Sequence, residues 1–352
     1  MPNKTPTIGA AQIKLLEKLC NAVGVSGGES EVRKIILDEI NSRVDEVKVD
    51  ALGSVLAIKR GRGAKRMRVM LDAHMDEVGF MLVADDSEGI YRFKIVGGID
   101  PRNLAGKPVV IGKEHKPGVI GAKPIHLTTV DERKKSFTED ALRVDMGLDA
   151  KIKVGERGTF APNFQRVGPS LVSKSLDNRL GVATLIELIK HSYRNIVLCA
   201  AFSVQEEIGL RGAKVAAQYF KPDVAIVIDA TPANDLPVQF EGENTFYNTK
   251  LGFGPAIYVS NSSTIDDPRL VRFMQAVAEK AQIPYQIRQA GGGGTNAGGI
   301  QRAGVGVPVV SVSVPHRYTH SAMSVSRIED WNNTLALLYA AVNQISPSIL
   351  RR

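Results

Sequence analysis

Apolar residues recur along the chain in two patterns, one typical of amphipathic helices and one typical of buried strands. Helical spacing predicts helices over Ala10 to Ala22, Ser26 or Glu29 to about Ile40, Arg179 to Lys190, a segment from Arg211, Asp266 to Gln282, and about Ile328 to Ile345. Short continuous apolar runs predict strands at Val55 to Ile58, Met67 to Leu71, Ile196 to Val204, Val224 to Ile228, and Val309 to Val314. This alternation of helices and strands predicts an α/β fold.

The pattern changes between Phe80 and Phe164. Short β-type runs alternate there with glycine and proline turns, and long helical patterns are scarce; the runs are Val109 to Gly112, Gly118 to Gly121 and Lys151 to Val154. We interpret residues 80–164 as an inserted β-rich domain. Residues 1–79 and 165–352 would then form one discontinuous catalytic domain, which agrees with a length of 352 residues.

Acids and histidines follow the predicted strands where each one ends. They are His74, Asp76, Glu206, Glu207, Asp229 and His320, and Asp177 lies where a loop enters a helix. Ligands of open α/β sheets bind at the carboxyl ends of the strands. Glu206 and Glu207 would repel each other there, unless one binds a cation and the other acts as a free base. An isolated pair of glutamates is more often a solvated acidic turn, but here several strand ends carry such residues.

Composition and charge narrow the possible functions. The formal net charge is +8, and much of the basic density lies in residues 59–68, which we interpret as a solvated hairpin turn without interleaved aromatic residues. We therefore expect no nucleic-acid partner. We also expect no membrane span, no signal peptide and, by default, a cytoplasmic location. Cys20 and Cys199 lie in apolar segments and are expected to be reduced thiols.

Four sequence blocks resemble the signature blocks of the M42 metallo-aminopeptidases, which include tetrahedral and glutamyl aminopeptidases. The blocks are Ala73–Gly79, Ser175–Arg179, Gln205–Ala213 and Arg317–Ser321. The resemblance covers nearly the whole chain. It implies a mixed-sheet catalytic domain of the di-zinc exopeptidase type, with an inserted β-barrel-like domain.

The resemblance also implies a set of metal ligands. His74 and Asp229 would bind a first metal ion, Asp177 would bridge both ions, and Glu207 and His320 would bind the second. Histidine and carboxylate ligands without cysteine suit zinc or cobalt, with manganese as a further candidate. The expected cofactors are therefore two divalent metal ions per subunit.

Two further carboxylates receive catalytic roles from the resemblance. Glu206, which binds no metal in this scheme, would be the general base that takes a proton from the attacking water and returns it to the leaving amine. Asp76 would orient the imidazole of His74 through its carboxylate. Both are candidate catalytic residues.

One block departs from the family pattern. The family usually has Gly-Thr-Asp-Ala after its glycine run, whereas this chain has Gly294-Thr-Asn-Ala297. Asn296 is therefore a candidate substrate-binding residue that lacks the family's charge. The alternative is that position 296 only caps a helix, which asparagine does equally well.

The resulting hypothesis is an aminopeptidase that removes N-terminal residues from peptides. One alternative is a deacylase or carboxypeptidase that uses the same two-metal chemistry. A further alternative, endoglucanase, rests only on the names of some relatives. The resemblance further implies a homo-oligomer of dimers, arranged as a tetrahedral dodecamer. The inserted domain would supply the subunit contacts.

Overall fold

The computed structural model describes residues 5–63, 66–237, 248–288 and 292–351. The sequence leaves the preferred N-terminal residue to depend on loops such as Glu241 to Gly254 and Val130 to Arg143, and the first of these segments lies partly outside the described residues. Among the helices in these ranges, none is long and apolar enough to cross a membrane.

The helices agree with the hydrophobic pattern to within a few residues. They are α1 (Ala10–Asn21), α2 (Ser30–Ile40), α3 (Val130–Arg133), α4 (Leu176–Ile189), α5 (Arg211–Phe220), α6 (Pro268–Lys280), α7 (Ala297–Gln301) and α8 (Ile328–Gln344). The assigned range of α4 begins before the predicted Arg179, but the backbone of Asp177 and Asn178 is not helical, so the regular helix starts at Arg179 as predicted. The short helices α3 and α7 are the ones that the sequence does not predict.

The strands before and within the inserted region are β1 (Glu46–Val49), β2 (Val55–Arg60), β3 (Met67–His74), β4 (Gly79–Asp85), β5 (Ile90–Val96), β6 (Pro108–Ile111), β7 (Lys116–Ala122), β8 (Leu142–Asp145) and β9 (Arg157–Phe160). The later strands are β10 (Gln165–Val167), β11 (Ser170–Ser173), β12 (Ile196–Ser203), β13 (Val224–Pro232), β14 (Ala256–Tyr258), β15 (Gln286–Arg288), β16 (Val309–Arg317) and β17 (Ser324–Arg327).

Within the described residues, one mixed sheet has the order β1-β2-β12-β3-β13-β16-β17-β11-β10, and β14 and β15 extend it from β16. The central strands β12, β3, β13 and β16 are parallel to their neighbours in this group. They are apolar and buried because helices cover both faces of the sheet. One hydrophobic cluster includes side chains of α1, α4 and α8, and a second includes side chains of α5 and α7.

The predicted hairpin turn between the second and third strands is wrong. β12 lies between β2 and β3, antiparallel to the first and parallel to the second. The connecting segment passes the start of β12 instead of reversing directly. Its amides at Gly61 and Gly63 donate hydrogen bonds to the carbonyls of Ile196 and Arg194.

The inserted region contains a closed barrel with the strand order β4-β5-β8-β7-β6-β9. Its interior is apolar and includes Phe80, whose ring makes edge-on contacts with Phe93 and Phe160, both at 5.4 Å between centroids. The strand predicted at Lys151 to Val154 is wrong. The amide of Ile152 donates to the hydroxyl of Tyr91 at 3.0 Å instead of joining a strand ladder.

Candidate metal centre

The parallel strands bring most of the predicted site residues to one edge of the sheet. His74 is the last residue of β3, and Asp229 lies in β13, the neighbouring strand. Glu206 and Glu207 follow the end of β12, which pairs with β3 on its other side. His320 lies in the loop after β16, and Asp177 lies where the chain enters α4, with a backbone conformation that is not yet helical. These residues therefore converge although they are distant in sequence.

Asp177 lies between two groups of candidate ligands, one around His74 and one around His320. His74 Nε2 lies 3.2 Å from Asp177 Oδ1 and 3.4 Å from Asp229 Oδ1. His320 Nε2 lies 3.6 Å from Asp177 Oδ2 and 3.2 Å from Glu207 Oε2. The two carboxylate oxygens of Asp177 thus face different histidines, as a bridging ligand would.

The carboxylates of this cluster have perturbed pKa values. Burial raises the pKa of Glu206 well above its usual range; His74 opposes this shift and Glu207 adds to it. Burial also raises the pKa of Glu207 and of Asp229. For Asp177, burial acts in the same direction, but hydrogen bonds with His320 and His74 lower its pKa overall.

The donor set fits divalent cations. In the described part of the chain, no lysine or arginine forms an ion pair with these four carboxylates. Instead, two groups that could each hold a metal ion share Asp177: one adds His74 and Asp229, and the other adds Glu207 and His320. Carboxylate oxygens and imidazole nitrogens are ligands that zinc, cobalt and manganese accept. A bound cation would offset the cost of burying so much negative charge.

Asp76 contacts the imidazole of His74 through both its backbone and its side chain. His74 Nδ1 donates a hydrogen bond to the backbone carbonyl of Asp76 at 3.1 Å, and the carboxylate of Asp76 lies 3.6 Å from the same nitrogen. The carboxylate accepts the amides of Glu206 and Glu207, at 3.0 and 3.2 Å, and the hydroxyl of Ser26 at 2.6 Å. Asp76 therefore fixes the backbone of both glutamates as well as the imidazole.

A buried ion cluster lies behind the loop that follows β3. The carboxylate of Glu77 accepts hydrogen bonds from the amide of Gly24, the ammonium of Lys174, the hydroxyl of Thr159 and the guanidinium of Arg179, at distances from 2.6 to 3.2 Å. Lys174 and Arg179 flank Asp177 in sequence, and Thr159 belongs to the barrel. The cluster therefore joins the N-terminal segment, the barrel, the loop after His74 and the segment that carries Asp177.

Asn296 is not where the sequence-based interpretation put it. Its side chain is buried and donates hydrogen bonds to Asp72 Oδ2 at 2.7 Å and to Ser203 Oγ at 2.8 Å. It does not line the cleft, and it makes no capping hydrogen bond at the start of α7. The expected direct substrate contact is therefore corrected to a contact beneath the site, and Asn296 occupies the N-cap position of α7 without capping it through its side chain. Burial raises the pKa of its partner Asp72 to about 7.

The cluster opens into a cleft of about 380 Å³. Sequence reasoning missed several of its lining residues, among them Gly98, Tyr258 and Arg288. The guanidinium of Arg288 stacks over the ring of Tyr258, 4.5 Å from the centroid, and donates to the carbonyl of Gly292 at 2.9 Å. Only the glycine run near Arg288 could have indicated a backbone that approaches a ligand closely.

Sequence comparisons agree with this geometry. A family model described as M42 glutamyl aminopeptidase matches residues 53–337. The chain is also 32% identical, over 348 residues, to the lysyl aminopeptidase of Pyrococcus furiosus, and the match covers 95% of this chain and 97% of that protein. These findings favour an aminopeptidase over a deacylase or carboxypeptidase. The endoglucanase alternative has only the name of a similar solved structure behind it, whereas the family model that matches this chain is that of an aminopeptidase family.

Solved structures match along nearly the whole chain. The TET aminopeptidase of a marine sediment archaeon of the Thaumarchaeota has a TM-score of 0.91 and 32% identity, covering 97% of this chain and 98% of that one. The TET1 peptidase of Pyrococcus horikoshii, which can assemble into a tetrahedron or a large octahedral shell, has a TM-score of 0.82 and 32% identity, covering 95% and 100%. Taken with the match over residues 53–337, these likenesses show that the chain belongs to the M42 glutamyl aminopeptidase family and is a metal-dependent aminopeptidase.

Proposed function

We propose that the cleft holds two divalent metal ions and hydrolyses the first peptide bond of a peptide chain. His74, Asp177 and Asp229 would hold one ion, and Asp177, Glu207 and His320 the other. The observation that carries the proposal is the division of the two Asp177 oxygens between His74 and His320.

Metal ions bound at these ligands would lower the pKa of a water molecule and polarise the scissile carbonyl. Glu206 is the general base of this proposal: its carboxylate takes the proton of the attacking water and delivers it to the leaving amine. Asp76 supports that role because it accepts the backbone amide of Glu206 at 3.0 Å. The carboxylates of the cleft also favour a substrate whose free amino group carries a positive charge.

The test combines metal removal with a substrate panel. The protein is dialysed against a chelator, its metal content is measured by elemental analysis, and zinc, cobalt or manganese is returned. Hydrolysis of aminoacyl-anilides, including the lysyl and glutamyl compounds, should disappear and then return with one or more of these ions. Activity in protein shown to be metal-free would contradict the proposal. Carboxymethyl-cellulose serves as the negative control substrate.

Zinc or cobalt is the metal that we propose, with manganese as the third candidate, because all three accept the same ligands. Reloading separate samples with each ion and comparing kcat/KM ranks them. Elemental analysis of protein purified without added metal identifies the ion bound in the producing cell. A single ion per chain at full activity would remove the two-metal part of the proposal.

We further propose that the enzyme is a homo-oligomer of dimers in the form of a tetrahedral dodecamer. The support is the named assembly of the Pyrococcus horikoshii relative, together with an inserted region, residues 80–164, to which the proposal assigns no metal ligand. In this proposal residues 80–164 form the oligomerisation domain, and residues 1–79 and 165–352 form the catalytic domain. Light scattering checks it: a mass near twelve subunits is expected, and a monomer contradicts it. The cytoplasmic location stays a prediction from the sequence.

A further inference from the structure

The two candidate histidine ligands are oriented by different parts of the molecule. His74 Nδ1 is 3.1 Å from the carbonyl of Asp76, which follows it by two residues. His320 Nδ1 is 2.8 Å from the carbonyl of Gly98, which is 222 positions away in the chain. A carbonyl only accepts hydrogen bonds, so Nδ1 must carry the proton in both rings. This leaves Nε2 of each neutral imidazole free to bind a cation.

Gly98 belongs to the inserted region, in the segment between β5 and β6. The next residue, Ile99, is buried and packs in the apolar core of the barrel. The position of the Gly98 carbonyl is therefore set by the barrel and not by the sheet that carries His74.

The loop that carries His320 also rests on the barrel. Ala322, two residues later, packs against the barrel core, and its carbonyl accepts a hydrogen bond from Asn163 at 3.4 Å. The backbone of His320 itself has a φ of 57°, outside the regular strand conformation. The loop thus depends on contacts beyond its own strand to hold the imidazole in place.

The barrel lies close to the side of the cleft that carries Glu207 and His320. An added Cβ at Gly98 would lie 3.3 Å from His320 Nδ1, and one at Gly97 would lie 3.4 Å from the Cβ of Glu207. Glu207 and His320 are the two residues assigned to the second ion alone. Both are therefore in contact range of one short segment of the barrel.

We propose that the barrel sets the geometry of the second metal position, with Gly98 as a positioning residue that orients His320 through its carbonyl. The imidazole of His74, in the first position, is oriented instead by the carbonyl of Asp76, which lies outside the barrel segment. This inference rests on the proposed two-metal function. It gives the inserted region a role in catalysis besides subunit contact.

The test is Gly98→Ala, with Gly121→Ala as the matched control. The backbone of Gly98 is not in the left-handed region, and the new methyl group would press on the imidazole of His320. Gly121 is a barrel glycine whose added Cβ would meet only a carbonyl oxygen at 3.9 Å. The metal-free proteins are titrated with cobalt by calorimetry and by visible absorption, and their thermal unfolding is recorded.

Gly98→Ala should keep one cobalt ion at wild-type affinity and bind the other about tenfold or more weakly, the usual loss when an orienting partner of a ligand is disturbed. The control should match the wild type. Equal weakening of both ions, or no change in either, would overturn the inference. A wild-type protein that binds fewer than two ions would instead overturn the proposed function, so the two failures are distinguishable.

A second experiment covers the case in which Gly98→Ala folds poorly. His320→Ala removes the ligand, so the protein should bind one ion. Ile99→Val loosens the packing of the barrel core without adding a group near the cleft. In the wild-type background it should lower the affinity for the second ion. In the His320→Ala background, Ile99→Val should leave the affinity for the remaining ion unchanged. An effect of Ile99→Val on the remaining ion would contradict the inference.

Discussion

The sheet and the barrel are both β structures, but they contribute to the enzyme in different ways. The central strands of the sheet are parallel, so their carboxyl ends meet at one edge, and His74, Glu206 and Asp229 lie on or just beyond these ends. The barrel is antiparallel throughout, and its interior is filled by apolar side chains such as Phe80 and Phe160. The carbonyl of Gly98, in the inserted region, accepts a hydrogen bond from His320 at the site, and the hydroxyl of Thr159 donates to Glu77 in the ion cluster behind it.

The difference shows that topology decides where reactive groups can gather. Adjacent parallel strands have their carboxyl ends at the same edge of the sheet, whereas adjacent antiparallel strands have them at opposite edges. A parallel sheet therefore collects ligands from distant parts of a sequence, and a small closed barrel supplies a rigid body that can support them. Four changes to the chain test this division of roles.

The largest effect is expected on the sheet side, from Glu206→Gln. The amide cannot accept the proton of the attacking water, so kcat should fall by a factor of about 10² to 10⁴. Both ions should stay bound, because Glu206 is not assigned as a ligand. Steady-state kinetics and elemental analysis measure the two quantities. Glu329→Gln, an exposed acid on α8, is the control; full activity in Glu206→Gln would refute the assignment of the base.

On the barrel side, Phe93→Ala should act first on stability. Phe93 is buried against the ring of Phe80, and its removal leaves a cavity that costs about 3–5 kcal/mol in the free energy of unfolding. Denaturant unfolding measures the loss. The exposed Phe253 gives the control, since Phe253→Ala should change stability by less than about 0.5 kcal/mol. Equal effects of both variants would show that the barrel core is not well packed.

At the junction of the two regions, Glu77→Gln should leave Lys174 and Arg179 buried without a counter-charge. Breaking a buried ion pair in this way costs about 3–5 kcal/mol. Adding Lys174→Met to Glu77→Gln should recover part of that loss, because one uncompensated charge is removed. The free energies of unfolding of both single variants and the double variant form the cycle. Strict additivity would show that the two side chains are not coupled.

The smallest effect is expected from Asn296→Asp, which restores the family's acid beneath the sheet edge. Two carboxylates would then face each other, at positions 296 and 72, and like charges raise each other's pKa. We expect the Michaelis constant or the pH profile to change more than the metal content. Asn343→Asp, on α8, controls for the added charge. Unchanged kinetics across pH and substrates would limit position 296 to a packing role.

Much of the sheet could be predicted because its evidence is local. The apolar runs that end at His74, Glu206 and Asp229 identify both the strands and the edge where ligands gather. The neighbours of each strand could not be predicted, because placing β12 between β2 and β3 depends on pairing between distant segments. The contact between Gly98 and His320 could not be predicted for the same reason. The position of Asn296 was predicted wrongly because the sequence around it does not show whether its side chain lies in the cleft or is buried beneath it.

The position of His320 late in the chain has a consequence for biosynthesis. All six strands of the barrel and the ligands His74, Asp177, Glu207 and Asp229 are translated before it. On the ligand assignment proposed above, a chain that stops short of residue 320 carries four of the five ligands, and its second metal position is incomplete. On this two-metal proposal, peptide hydrolysis would therefore require translation past residue 320.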